Sequence, residues 1–64
     1  MINRIFITRS HASDVISLAI RQVERNAMLM SVNTHDSHVE IVFMTETREQ
    51  SERTVSGIKL SLGR

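Results

Sequence analysis

The sequence predicts an α+β fold, an antiparallel sheet with two helices on one face, and three observations predict it. Segments with period-two apolar alternation, Ile2–Thr8, Met28–Thr34 and Val39–Thr45, read as strands. A stripe of Ala12, Val15, Ile16, Ala19, Ile20 and Val23 at helical spacing lies between the first and second of them. A polar stretch followed by Val55, Ile58 and Leu62 at i, i+3 and i+7 comes after the third.

In the first strand Ile5 and Ile7 point to one face and Ile2 and Phe6 to the other. Apolar groups on both faces suggest a central, covered strand. The first helix reads as His11–Arg25. Ser10 is its expected N-cap, with Asp14 complementing the dipole in the first turn. Asn26 is placed to close it in the left-handed conformation. In the second strand strict alternation puts Met28, Met30 and Val32 on one face. In the third, Val39, Ile41 and Phe43 alternate with Glu40, Val42 and Met44. The short polar turn His35-Asp36-Ser37-His38 joins these two strands as a hairpin. Thr47 is the expected N-cap of the second helix, with Glu49 and Gln50 behind it and an i, i+4 pair from Glu49 to Arg53.

The C-terminal stretch carries two signals. Val55, Ile58 and Leu62 form a helical stripe, whereas Ile58, Leu60 and Leu62 alternate with Lys59 and Ser61 as a strand would. Helix is favoured, because a helix stopping at Gly57 would have almost no apolar face to bury. The alternative is a fourth strand over residues 58–62. The order β-α-β-β-α, with or without that strand, is the split βαβ or ferredoxin-like arrangement. Its expected core is Ile5, Ile7, Val15, Ile16, Ala19, Val23 and Ile41.

A chain of 64 residues holds one domain, here residues 1–64. It buries only about 60% of its unfolded surface, so association with a second chain is an expected source of stability. There is no cysteine to form a disulfide or a thiolate site. Eight Lys/Arg against seven Asp/Glu give a net charge of +1, which provides little drive toward nucleic acid. Tyr and Trp are absent, so base stacking has no platform. The apolar runs are too short for a membrane span or a signal-peptide core, and a cytoplasmic location is expected.

No residues converge on a catalytic pattern. His35 and His38 beside Asp36 resemble part of a metal site, but a third ligand is not visible and a solvated turn accounts for them. His11 reads as a surface residue. None of the serines sits in a nucleophile elbow, and there is no glycine-rich phosphate loop. Met28, Met30 and Met44 read first as core or sheet-face filling and second as an adaptable contact surface. The apolar second face at Phe6, Val42 and Met44 favours a homodimer or a hetero-oligomer.

The segment Arg25-Asn26-Ala27-Met28-Leu29-Met30-Ser31-Val32-Asn33, with Asp36 to Phe43 as the next strand and Val55, Ile58 and Leu62 as a helix stripe, resembles the small regulatory subunits of acetolactate synthase. The resemblance is to the short isoforms that consist of little more than one ACT domain. It implies an ACT-like βαββα(β) fold and a non-catalytic role: binding and activating a larger catalytic subunit in branched-chain amino acid biosynthesis. Thiamine diphosphate, flavin and magnesium would then belong to that partner, leaving no cofactor in this chain. The resemblance also places an amino-acid effector site at the loop after the first strand, here Ser10, His11, Ala12 and Ser13. Members that bind amino acids carry a glycine in this loop. Its absence here, and a Ser10 hydroxyl spent on capping the helix, imply weak or no effector binding. Two further functions compete. One is a free-standing, dimeric, small-molecule-sensing module. The other, a ribbon-helix-helix DNA binder, is opposed by the strong third strand and the near-neutral charge.

Overall fold

The computed structural model describes residues 1–63, which form β1 (Ile2–Thr8), α1 (Ser13–Asn26), β2 (Met28–Thr34), β3 (His38–Met44) and α2 (Arg48–Leu62). The three strands form one antiparallel sheet in the order β1-β3-β2. Both helices pack on the same face, giving the ferredoxin-like α+β arrangement that the element order implies. The Cα envelope measures only 14 Å in its shortest direction, the depth of one sheet and one helix layer. The other face of the sheet is therefore left uncovered.

The core lies between the layers. Ile7 from β1, Val39, Ile41 and Phe43 from β3, Ala19 and Val23 from α1 and Ile58 from α2 are buried together. Ile5, Ile16, Ile20, Leu29, Val55 and Leu62 pack half-buried around them. Of the core expected from the sequence, Ile5 and Ile16 thus lie at its margin, and Val15 is half-buried without joining it. The space goes instead to Val39, Phe43 and Ile58, which the central strand and the second helix bring inward.

The C-terminal stretch is helical through Leu62, with Gly57 inside the helix and no fourth strand among the described residues. Gly57 has a packing reason. A Cβ there would come within 3.2 Å of Gln22 Oε1, so a larger residue would make this α1 side chain give by a few tenths of an ångström. On the same side of α2, Thr54 and Ser61 are buried. Each hydroxyl donates to the carbonyl four residues back, Thr54 Oγ1 to Gln50 O at 2.9 Å and Ser61 Oγ to Gly57 O at 3.1 Å. Their polar atoms are satisfied within the helix, which makes small hydroxyl residues acceptable at a tight helix contact.

Several sequence expectations are corrected. Without a fourth strand, β1 is an edge rather than a central strand, and only β3 is flanked on both sides. In β2, Leu29 pairs with Phe43 and Ser31 with Val42, so Met30 is an extra residue in a bulge. The bulge resets the alternation: Met28, opposite Met44, lies on the uncovered face, whereas Val32, opposite Ile41, lies on the helix face. Helix α1 starts at Ser13, with Ala12 as an N-cap that has no side-chain hydrogen bond. Ser10 cannot reach that position, because the chain first makes a turn closed by His11 N–H donating to Thr8 O. The Ser10 hydroxyl instead meets Thr8 Oγ1 at 2.8 Å. Asn26 is the last helical residue, and no described residue, glycine included, has a positive φ. Its side chain donates to Gln22 O at 2.8 Å. Thr47 does cap α2, accepting from Gln50 N–H at 3.1 Å. The ion pair in the first turns of α2 joins Arg48 to Glu52 rather than Glu49 to Arg53.

Candidate functional site: the uncovered sheet face and its open edge

The alternation of three strands determines what the uncovered face presents. From β1 come Ile2, Arg4, Phe6 and Thr8, and from β3 His38, Glu40, Val42 and Met44. From β2 come Met28, Ser31 and Asn33. Phe6 is 61% exposed and Met28 65%, large values for side chains of this size in a sheet. Ile2, Met30 and Met44 are exposed as well. Val42, at the centre of the sheet with Arg4 of β1 on one side and Ser31 of β2 on the other, is buried.

The polar groups on this face are organised. Arg4 Nε lies 3.1 Å from Glu40 Oε2, and Asn33 Nδ2 donates to Glu40 Oε1 at 2.9 Å. One carboxylate thus ties all three strands across the face. Phe6 meets the His38 ring edge-on, with centroids 5.2 Å apart. His38 in turn stacks on His35 at 4.6 Å. The result is an apolar surface divided by a charge-neutral polar bridge. Flexible methionines line one end of it, where Met28 starts β2 opposite Met44 at the end of β3, away from the hairpin turn.

The edge of β1 is the second feature. Between β1 and α2 lies a groove of about 190 Å³ lined by Ile5, Ile7, Val55, Ile58 and Leu62, with Lys59 at its rim. The β2 edge differs: its bulge and the polar residues Ser31, Asn33 and Thr34 make it a poor template for another strand.

The residues expected to hold an effector form the connection between β1 and α1. Ser10, Ala12 and Ser13 are exposed and His11 is half-buried. They are neighbours in sequence, running along the loop into the first residue of α1. The Ser10 hydroxyl does not occupy the helix terminus, which corrects the expectation that its capping would block a ligand carboxylate. Asp14 occupies that end: its Oδ1 accepts from Val15 N–H at 3.0 Å and places a negative charge in the first turn.

Among the described residues no three His, Cys, Asp or Glu side chains cluster as metal ligands, and no helix is long and apolar enough to cross a membrane. Comparison of the chain with protein-family models, curated proteins and solved structures gives no match.

The methionine contribution to the uncovered face was hidden in the sequence. Met28 and Met30 read as one stripe with Val32, and only the bulge separates them. The visible signal was Phe6, Val42 and Met44, apolar at positions where a strand with one covered face would carry polar groups.

Proposed function

We propose that this chain is a non-catalytic binding module that docks on a larger protein through its uncovered sheet face. One observation carries the reading: Ile2, Phe6, Met28 and Met44 stand exposed on a single face around the neutral Arg4–Glu40 pair. Surfaces of this kind, apolar with a satisfied polar bridge, are typical of protein contact sites. The sequence resemblance supplies the partner: the catalytic subunit of acetolactate synthase, with this chain as its ACT-like regulatory subunit in the cytoplasm. Activation then requires that the module bind the active state of that enzyme better than the inactive one.

Mixing the chain with the purified catalytic subunit tests the reading. Activity should rise and the two should co-elute, and the double variant Met28→Ser/Met44→Ser should lose both effects while keeping its fold. Unchanged activity with no co-elution would reject this partner.

The second reading, a module that senses an amino acid, draws on the uncapped α1 terminus at Ala12. Asp14 opposes a ligand carboxylate there, so titration calorimetry with valine, leucine and isoleucine should give little or no heat. A 1:1 isotherm that is lost on changing Ser13 or His11 would favour the sensing role.

A further inference from the structure

The hydrogen-bond register identifies which groups the β1 edge offers. Met1 N donates to Thr45 O at 2.8 Å and Thr45 N–H to Met1 O at 2.9 Å. At the other end Arg9 N–H donates to Ser37 O at 3.0 Å. Antiparallel ladders alternate bonded and non-bonded pairs, so Met1, Asn3, Ile5, Ile7 and Arg9 face β3. The N–H and C=O groups of Ile2, Arg4, Phe6 and Thr8 therefore point away from the sheet. Among the described residues only Thr8 O of these groups has a partner, accepting from His11 N–H.

This edge lacks two of the usual protections, a bulge and a proline, and Lys59 of α2 is the one lysine lining the groove beside it. Its register with β3 runs without a bulge over seven residues, and it contains no proline. Its single charge, Arg4, is held on the uncovered face by Glu40. Beside it the apolar side chains of Val55, Ile58 and Leu62 overhang a groove where the next strand would lie.

We propose that two copies of this chain pair antiparallel through β1, with Ile5 on the two-fold axis, joining two three-stranded sheets into one. The strand complements itself in this register. Its midpoint is Ile5, so all outward groups from Ile2 to Thr8 pair, Ile2 with the partner's Thr8 and Arg4 with the partner's Phe6. No like charges stand opposite each other, and each Arg4 guanidinium meets the face of an exposed Phe6. On the helix side Ile5 and Ile7 of each copy extend the apolar lining of the groove. A foreign strand would need the same length and alternation, whereas a second copy has both by identity. The pairing does not depend on the docking reading. It places both uncovered faces on the same side of the joined sheet, where it engages Arg4 and Phe6 at the seam and leaves Met28 and Met44 to the docking surface.

The test uses the chain alone. Sedimentation equilibrium at high micromolar concentration should give twice the 7.3 kDa monomer mass. In a mixture of labelled and unlabelled chains, an intermolecular contact between the Asn3 and Ile7 α-protons should appear, because these face each other in a non-bonded pair. The Arg4 and Phe6 amides should exchange slowly with solvent, and more slowly as concentration rises. A chemically synthesised chain with an N-methyl group on Phe6 keeps every bond of the β1–β3 ladder and should sediment as a monomer. If that chain does not fold, the α-proton contact in the unmodified chain decides. A monomer at these concentrations would overturn the proposal. So would a dimer with fast-exchanging Arg4 and Phe6 amides, which would point to stacked sheet faces, or protection that appears only when another protein is added.

Discussion

The two faces of the sheet are built from alternate residues of the same strands, yet they follow different rules. On the helix side, Ile41 and Phe43 are completely buried, and the packing there is that of a protein interior. On the other side, Met44 is exposed next to Phe43 in sequence, and the polar groups satisfy one another across strands. The first face holds the domain together. The second has apolar surface that the described residues do not cover; the first side carries the stability, and the second is the side on which docking is proposed.

The sharpest test of that division compares neighbours in β3. Phe43→Ala should cost about 3–5 kcal/mol, enough to unfold a domain this small, and thermal melting followed by circular dichroism should lose its transition. Met44→Ala should shift stability by less than about 0.5 kcal/mol. Equal effects would break the comparison.

Asparagines make the same comparison for polar groups. Asn3 is on the helix face, where its Oδ1 accepts from Ser51 Oγ at 2.6 Å and its Nδ2 donates to Thr45 Oγ1 at 2.9 Å. Asn3→Ala leaves buried Thr45 and half-buried Ser51 without their partner and should cost about 1–2 kcal/mol in urea unfolding. Asn33 on the uncovered face bonds only to exposed groups, and Asn33→Ala should be nearly neutral.

The helix layer that makes one face a core has one capped and one uncapped start. Thr47→Ala should destabilise the domain by about 1 kcal/mol, and Ala12→Ser should stabilise it by about 0.5 kcal/mol or more. Amide exchange in the first turn of each helix would locate the change.

The smallest effect belongs to the bridge on the uncovered face. Glu40→Gln should cost about 0.5 kcal/mol at low salt, because the Arg4 side chain is largely exposed, and less as salt is added. Denaturation midpoints at two ionic strengths would read it.

The sequence determined the elements and their order by itself. Alternation in Ile2–Thr8 and Val39–Met44 and the stripe from Val15 to Val23 follow from side-chain geometry within one segment, and so does the Thr47 cap. What depended on neighbours was not legible. The β2 bulge is a feature of the pairing with β3 and not of β2 alone, and it moves Val32 to the helix face. The turn closed by His11 and Thr8 displaces Ser10 from the helix start, a competition between two local hydrogen-bonding options that spacing cannot resolve. Gly57, Thr54 and Ser61 read as breaks in an apolar stripe until α1 lies against them. The apolar alternation of β1 suggested a central strand, but its place at the edge was decided by the final segment: residues 58–62 satisfied their hydrogen bonds along α2 rather than across the sheet. Among the described residues the same choice left the outward groups of Ile2, Arg4 and Phe6 and the N–H of Thr8 without partners, and only the tertiary structure could place an apolar groove beside them.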